Sequence, residues 1–243
     1  MLKIENDQVM GWEHAVRGMR NPMNSWDKSD SEEGLGDEYG DCRFCNIGKF
    51  FVGINDLELM KKLCRSGTDH RKFMRMITVY LDITAPLYWW KEFDTYKVGT
   101  VANSCSTMHK VHDKEFTLAD FSCEHLMNDV DEGGTELLDT DGLGTDIFVT
   151  PKSLLNITIG CLNNYRKRYL KTKDKKYWWQ MIQSLPASYN QKRTVMLNYE
   201  VLANMYKSRR NHKLDEWHTF CDWIETDLPY NELIIGGIEN EAV

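Results

Sequence analysis

The chain has 243 residues, of which 42% are hydrophobic and 28% charged, and its formal net charge is −7. These values are typical of a soluble globular protein with a full core, and no apolar run approaches the roughly 18 residues that a membrane span needs. The sequence begins with neither a basic nor an apolar targeting segment, so we expect a cytoplasmic protein without membrane contact. Seven cysteines without regular spacing predict reduced thiols rather than a disulfide framework.

The first half of the chain predicts two helices followed by a strand. Apolar residues at helical spacing predict a first helix over residues 9–19, which ends at Asn21-Pro22. A second helix is predicted to begin at a capping-box-like segment, residues 55–58, and to stop at Gly67. Alternating apolar and polar residues then predict a strand over 77–84.

Thr84 is predicted to cap a third helix that carries Pro86 in its first turn. The later predicted elements are a short helix at 117–120, helices at 150–169 and 177–185, a strand at 194–197, and helices at 198–209 and 214–224. Asn198 is the predicted cap of the helix that follows it. No internal repeat is present, and the pattern predicts a helix-rich α+β protein.

Negative charge is concentrated in two glycine-containing segments. Residues 27–41 hold seven acidic residues and one lysine, and residues 129–146 hold seven acidic residues and no base. We therefore predict loop insertions at 27–48 and 128–149 in a single domain spanning residues 1–243. The rest of the chain is mildly basic, which suits a small anionic ligand but lacks the clustered stripe of a DNA-binding face, so no nucleic-acid partner is expected.

The predicted helix after Pro86 is rich in aromatic residues. Tyr88, Glu92 and Tyr96 fall four residues apart and would share one helical face. Rings that flank a carboxylate can hold a heterocycle by stacking and edge hydrogen bonds, although the same pattern is typical of a helix packed in a core. The neighbouring Trp89, Trp90 and Phe93 give this helix more aromatic surface than one helix usually buries, which favours association between copies of the chain.

Residues 85–106 resemble the central motif of the flavin-dependent thymidylate synthases, A-P-x-F-x-x-x-Q-x-x-R-H-R followed by a loop that ends N-x-x-S-x-R-Y. Ala85-Pro86 and Tyr88 match its beginning, Glu92 takes the place of the glutamine, and residues 95–97 take the place of Arg-His-Arg. With one extra loop residue, the motif's asparagine and serine correspond to Asn103 and Ser106.

A second segment resembles another motif of the family, L-P-x-x-T followed after a strand by N-x-R-x-L-x-x-F-x-x-x-R. Leu185-Pro186 matches the beginning of this motif. Without a gap, five later residues then stand at its N, R, L, F and R positions, in that order: Asn198, Glu200, Leu202, Met205 and Arg209. The resemblance implies helices around a small mixed sheet, FAD as cofactor, dUMP as ligand and a homotetramer with sites shared between subunits. The chain also resembles family members carried by tailed bacteriophages, which implies that the protein is located in the cytoplasm of an infected bacterium.

The resemblance implies ten ligand-binding positions: Tyr88, Glu92, Thr95, Tyr96, Lys97, Asn103, Ser106, Asn198, Glu200 and Arg209. Ser106 is also the candidate catalytic residue, and no metal site is predicted. Glu200 stands where the family has an arginine that helps to hold FAD and the phosphate of dUMP. Two like charges about 4 Å apart repel by about 4 kcal/mol at an effective dielectric constant near 20, so a carboxylate there is expected to oppose phosphate binding.

Three functions remain open from the sequence. The chain could be an enzyme-derived protein that binds a nucleotide-like ligand between segments 85–110 and 198–210. It could instead be an active FAD-dependent nucleotide methyltransferase that makes dTMP or a modified pyrimidine. The third alternative is a non-catalytic phage interaction protein.

Overall fold

The computed structural model describes residues 2–34, 50–137 and 147–236. The chain divides into two compact units: unit 1 contains Thr84–Lys91 and Ser104–Lys192, and unit 2 contains Leu2–Ile83, Glu92–Asn103 and Arg193–Val243. Segments of the two units alternate along the chain, so no single cut in the sequence separates them. Most of the predicted acidic loops, residues 35–49 and 138–146, lies outside the described residues.

The strands are β1 (Lys3–Met10), β2 (Glu32–Glu33), β3 (Phe50–Phe51), β4 (Thr78–Pro86), β5 (Val101–Ser104), β6 (Thr135–Leu137), β7 (Ile147–Val149) and β8 (Asn190–Asn198). Four of them form one sheet in the order β1-β4-β8-β5. The short strands β2 and β3 pair antiparallel, as do β6 and β7, and β2 and β6 lie inside the two acidic segments.

The helices are α1 (Trp12–Arg20), α2 (Ile54–Arg65), α3 (Leu87–Phe93), α4 (Val130–Gly133), α5 (Pro151–Thr172), α6 (Lys175–Ser184), α7 (Tyr199–Arg209), α8 (Asp215–Thr226) and α9 (Glu232–Ile235). The α+β class is therefore confirmed. None of these helices, within the ranges that the structure describes, is long and apolar enough to cross a bilayer.

Helices that begin at a local capping residue agree with the sequence prediction. Thr150 and Ser153 form a capping box at the start of α5, in which each side chain accepts from the other residue's backbone N–H. Asn198 Oδ1 accepts the Val201 N–H at 3.0 Å and starts α7 as predicted. The strand predicted at 77–84 is β4, and Gly67 adopts the left-handed φ of 99° expected just after a helix.

Two predicted helix starts are wrong because non-local contacts decide them. Val9 belongs to β1, and α1 begins only after Gly11. Gly11 turns the chain with a φ of 95°, and no other residue fits there, because a Cβ would lie 2.1 Å from Met76 O. Thr84 and Pro86 belong to β4 instead of capping α3. The first N–H groups of α3 are satisfied from a distant segment: Leu87 N donates to Tyr189 O and Tyr88 N to Ala187 O.

The cap of α2 also comes from a distant residue. Asn55 was predicted to cap this helix, but it lies inside α2. The carboxylate of Asp30 accepts hydrogen bonds from Asn55 N at 2.8 Å and Asp56 N at 3.0 Å. Asp30, an acidic residue of the predicted loop region, therefore caps the beginning of α2 in place of a local N-cap residue.

Unit 1 is organised around the pair of helices α5 and α6. Its core contains the buried residues Val111, Phe116, Phe121, Leu155, Leu162 and Met181. Trp89 and Trp90 in the same unit are also buried, and Trp90 Nε1 donates to Gln191 O at 3.0 Å.

Unit 2 is built around α7, most of which is buried. The ring of Phe93 is 1% exposed and meets Phe220 edge to face, with 6.4 Å between ring centroids. The expectation that Trp89, Trp90 and Phe93 present a surface for association is therefore wrong, because the chain itself covers all three. The homotetramer stays a prediction from the resemblance alone.

Candidate ligand-binding site

The site is built along α7 within unit 2. At the beginning of this helix, the chain at Gly99 passes so close that a Cβ there would lie 2.9 Å from Asn198 Nδ2 and 3.1 Å from Val201 Cγ2. At the other end of α7, Arg209 contacts Glu92 and Tyr96. Residues 92–99 therefore lie along the length of α7, so this part of the first family-like segment contacts the second.

This close approach makes Gly99 a test of the packing between the two segments. Gly99 has a φ of 77° and Gly67 a φ of 99°, but a Cβ at Gly67 would meet no atom within 4 Å. Gly67→Ala should therefore cost about 1 kcal/mol, the strain of a left-handed φ. Gly99→Ala should cost about 2 kcal/mol or more, because the Asn198 cap must also shift. Urea unfolding of both variants measures the difference, and equal costs would contradict the packing described here.

Glu92 is the centre of a hydrogen-bonded cluster at the end of α7. Its Oε2 atom accepts hydrogen bonds from Arg209 Nη1 at 2.7 Å and from Trp217 Nε1 at 3.1 Å. His212 Nε2 lies 3.2 Å from the same oxygen. Three positions chosen from the sequence (Glu92, Tyr96 and Arg209) thus come together. Because α3 ends at Phe93, Tyr96 lies beyond the helix, and its predicted place on a common helical face with Tyr88 and Glu92 is wrong.

The guanidinium of Arg209 is held from several sides. Its Nε donates to Tyr96 Oη at 3.0 Å, and its Cζ lies 5.6 Å from the Tyr96 ring centroid and 4.9 Å from that of Trp217. The side chain is 17% exposed. Within the described residues Nη2 makes no hydrogen bond, so a fixed cation keeps N–H donors for a further partner.

The orientation of His212 follows from its hydrogen bonds. Leu214 N donates to His212 Nδ1 at 3.1 Å, so Nδ1 is the acceptor and Nε2 is the ring nitrogen that donates. Nε2 faces Glu92, and the carboxylate therefore faces the Arg209 guanidinium and an imidazole N–H. The Glu92–Arg209 pair has no net charge. Neither His212 nor Trp217 was predicted from sequence, because only the packing of α8 brings them to Glu92.

Glu200 lies at the opposite end of α7, roughly 13 Å along the helix axis from Arg209. Its carboxylate binds the guanidinium of Arg75 through two hydrogen bonds, one of them from Nη2 to Oε1 at 3.2 Å. Arg71 Nε lies 3.8 Å from the same carboxylate. Two arginines and one glutamate therefore leave this cluster, the Glu200 cluster, with a net positive charge, which offsets the repulsion of phosphate expected from the Glu200 carboxylate alone.

Arg71 is an unusual member of the Glu200 cluster because it is buried. Only 7% of its side chain is exposed, and its Nη2 donates to Asn204 Oδ1 at 3.3 Å. Its Nε is buried without a hydrogen-bond partner among the described residues. The ion pair with Glu200 is thus the main compensation for burying this cation.

The other predicted positions do not join these clusters. Thr95 Oγ1 donates to the backbone oxygen of Glu92 at 2.7 Å, and Lys97 and Asn103 are exposed. Tyr88 and Ser106 belong to unit 1. Ser106 Oγ accepts hydrogen bonds from Met108 N at 3.2 Å and His109 N at 2.9 Å, which is the geometry of a serine that closes a turn.

A polar groove of about 590 Å³ lies at the carboxyl end of α7 beside α8. His212 lines this groove, so it is continuous with the Glu92 cluster. Its other lining residues are Arg210, Asn211, His218, Cys221, Asp222 and Glu225. The volume is in the range of sites for small ligands. Burial raises the pKa of the Cys221 thiol to about 12, with nearby carboxylates adding to the shift, so this cysteine is protonated at neutral pH.

The residues at the family's flavin positions do not fit FAD well. A pyrophosphate needs cationic or N–H donors, but the hydroxyl of Thr95 is engaged with Glu92 O and the hydroxyl of Tyr96 with Arg209. Glu200 is acidic and is bound by arginines. Only Lys97 offers a cation among these positions. In the parts of the chain that the structure describes, no three His, Cys, Asp or Glu side chains cluster as a metal site would require.

Similarity to solved structures over nearly the whole chain defines the class: the chain has the fold of the flavin-dependent thymidylate synthases. It is similar to thymidylate synthase X from Helicobacter pylori, solved with FAD and dUMP, with a TM-score of 0.62 and 14% identity over 98% of this chain and 100% of that one. A second structure of the Helicobacter pylori enzyme with the same ligands gives a TM-score of 0.58 and 14% identity, over 96% and 95% of the two chains.

The chain is also similar to the UMP/dUMP methylase PolB from Streptomyces cacaoi, solved with 5-Br UMP. The TM-score is 0.57 at 12% identity, over 99% of this chain and 96% of that one. No family model and no curated protein matches the sequence. The fold predicted from the motif resemblance is thus confirmed by structures that are only 12–14% identical to this chain.

Proposed function

We propose that this protein binds a pyrimidine nucleotide or a similar ligand at the Glu92 cluster, with Arg209 as the main contact. The observation that supports the proposal best is the fixed guanidinium of Arg209, which is held by Glu92 and Tyr96 and retains N–H donors on Nη2. A guanidinium held in this way suits a phosphate oxygen or a pyrimidine carbonyl. The solved structures of similar fold contain dUMP or 5-Br UMP, which favours the same ligand class here.

The charge of the cluster predicts which nucleotides bind well. Glu92 neutralises Arg209, so a phosphate gains less here than at an unpaired arginine. A ligand that donates a hydrogen bond to Glu92, such as a pyrimidine N–H, gains from the same carboxylate. We therefore expect weak dUMP binding, with the base contributing more of the affinity than in a site that surrounds the phosphate with arginines. The remaining sequence-derived positions, including Asn198, Lys97, Asn103, Tyr88 and Ser106, stay proposed contacts.

Two substitutions of opposite sign test the proposal. Glu92→Gln keeps an oxygen for Trp217 and His212 and restores the glutamine of the family motif, so it frees the charge of Arg209. We expect dUMP affinity to rise about tenfold or more, since one charge a few ångströms away is worth about 3 kcal/mol at a dielectric constant near 20. Arg209→Met keeps much of the side-chain volume and should lower the affinity at least tenfold. Isothermal titration calorimetry with dUMP, UMP and dTMP measures both changes.

The control for these titrations is Asp94→Asn. Asp94 pairs with Arg193 at 2.7 Å, is about half exposed and lies two residues from Glu92, outside the cluster. This change removes the same charge and should alter dUMP affinity less than twofold. If Glu92→Gln and Arg209→Met both leave dUMP affinity unchanged while the proteins stay folded, the ligand does not bind at this cluster.

The first alternative is an active FAD-dependent methyltransferase that makes dTMP or a modified pyrimidine. It is favoured by the similarity to structures that contain FAD and dUMP. It predicts a yellow purified protein whose flavin absorbance is released on denaturation. The second alternative, a non-catalytic phage interaction protein, predicts neither flavin nor nucleotide binding. For all three proposals, the resemblance also implies a homotetramer located in the cytoplasm of an infected bacterium. Light scattering over a range of concentrations tests whether the protein is a tetramer.

A further inference from the structure

A second surface with a distinct chemistry lies on the pair of helices α5 and α6 in unit 1. Residues 165–179 (YRKRYLKTKDKKYWW) contain seven basic residues and one acidic residue, in a chain whose net charge is −7. Residues 171–176, from the last residues of α5 to the first of α6, are all exposed. This segment, the basic hairpin, is therefore a concentrated and accessible positive patch that the charge averaged over the chain conceals.

Several of these cations stack on aromatic rings. Arg168 of α5 and Lys176 of α6 lie 5.8 Å and 4.9 Å from the centroid of the Tyr177 ring. Lys175 Nζ lies 5.6 Å from the centroid of Trp179. Trp178 is anchored, because its Nε1 donates to Met108 O at 3.0 Å, whereas Trp179 is 41% exposed. The surface thus combines cations with one accessible indole ring.

Only some of the basic side chains serve the fold. Arg166 donates to the backbone oxygens of His112 and Asp113, which fixes the preceding loop to α5. Lys176 pairs with Asp174 at 3.1 Å, and both are largely exposed. Four of the cations make no ion pair with any residue that the structure describes: Arg168, Lys171, Lys173 and Lys175. Their charges are available to an anionic partner.

We propose that the basic hairpin binds single-stranded nucleic acid, with its lysines on backbone phosphates and Trp179 stacked on a base. A positively charged track beside an accessible ring is the arrangement used for single strands, whose bases are free to stack. A duplex would satisfy the cations but leave the ring without a base. A membrane surface would favour a continuous apolar face, and Leu170 and Trp179 are the only large apolar side chains of this segment that are substantially exposed.

The proposal is independent of the nucleotide site, since it concerns residues of unit 1 only. It differs from the expectation, drawn from the sequence, that the protein has no nucleic-acid partner. That expectation came from the spread of charge along the whole chain, whereas a binding surface depends on the charge of one face. Both single-stranded DNA and single-stranded RNA offer the required phosphates and bases.

The test is fluorescence anisotropy with labelled dT20 and U20 at several salt concentrations. Each phosphate contact contributes about −0.7 to the slope of log affinity against log salt, so three or four contacts predict a slope of about −2 to −3. Lys171→Glu with Lys175→Glu should lower affinity at least tenfold and flatten the slope. Trp179→Ala should lower affinity about fivefold or more at an unchanged slope, and Trp179→Phe should retain most of it. The control Lys28→Glu with Lys62→Glu makes the same net charge change at exposed lysines elsewhere and should alter affinity less than twofold.

Binding of dT20, U20 or both supports the proposal, and a preference for one of them identifies the strand as DNA or RNA. The proposal is overturned if neither oligonucleotide binds, or if the control variant loses as much affinity as the hairpin variant. Tighter binding of a 20-base-pair duplex than of dT20 would assign the surface to duplex DNA and contradict stacking by Trp179. Binding to vesicles containing 30% phosphatidylserine, lost in the hairpin variant while dT20 fails to bind, would assign it to membranes instead.

Discussion

Asp56→Asn is expected to lower the free energy of unfolding by about 3–5 kcal/mol, the cost of leaving a buried cation without its partner. Asp56 is fully buried, and its Oδ1 accepts a hydrogen bond from Arg20 Nε at 2.6 Å. Its Oδ2 accepts from the hydroxyls of Ser29 and Ser31, both at 2.6 Å. The carboxylate therefore joins α1, α2 and the segment between them. An amide in its place accepts fewer hydrogen bonds and does not neutralise the charge of Arg20.

The matched control for Asp56→Asn is Glu58→Gln on the same helix. Glu58 pairs with Lys61 at 3.1 Å, but 65% of its side chain is exposed. Such a pair contributes at most about 0.5 kcal/mol. Urea unfolding at pH 7 compares the two variants, and a loss below 1 kcal/mol for Asp56→Asn would show that the buried pair does not stabilise the fold.

Asp56 also predicts how stability depends on pH. Burial alone would raise its pKa, but hydrogen bonds from Ser29, Ser31 and Arg20, together with the charge of Arg20, outweigh burial and hold the pKa below the ordinary value of 3.8. A carboxyl whose pKa is lowered by folding stabilises the protein above its unfolded pKa, and this contribution is lost as the pH falls through the folded pKa. The advantage of the wild type over Asp56→Asn should therefore shrink below about pH 4.

Glu200→Arg is expected to destabilise the protein by about 3–5 kcal/mol, although it restores the residue found in the family motif. The substitution places a third guanidinium beside Arg71 and Arg75 and removes the partner of the buried Arg71. Arg75→Ala should cost less than about 1 kcal/mol, because Arg75 is mostly exposed and Glu200 keeps Arg71. Thermal or urea unfolding of both variants measures the difference.

A charge exchange separates loss of pairing from a simple packing defect. Glu200→Arg combined with Arg71→Glu restores an ion pair at the same two positions and should recover part of the lost stability. No recovery would mean that the size of the new side chain, and not its charge, causes the loss. Wild-type stability of Glu200→Arg alone would contradict the account of the Glu200 cluster.

Local signals explain what the sequence could predict. Asn198 and Thr150 cap α7 and α5 through side chains next to the helices they begin, so their pattern is readable from a few residues. Glu92, Tyr96 and Arg209 belong to the two segments that resemble family motifs, and that resemblance implies one shared site. The hydrogen bonds of Arg209 to Glu92 and Tyr96 bring the three residues together.

Non-local contacts explain what the sequence missed. The cap of α2 comes from Asp30, and the partners of Glu200 come from a turn more than 120 residues earlier in the chain, at Arg75. The residues next to Asn55 and Glu200 in the sequence give no indication of these distant partners. Trp217 reaches Glu92 only because α8 packs against the end of α7. Charge at a site is thus set by partners that motif comparison does not include.

The most direct test of the central claim is a crystal structure of the protein grown with dUMP. We predict electron density for the nucleotide within hydrogen-bonding distance of Arg209 Nη2, with Glu92 still paired to Nη1. Nucleotide density that is confined to another part of the molecule, with Arg209 contacting only Glu92 and Tyr96, would contradict the assignment of this cluster as the binding site.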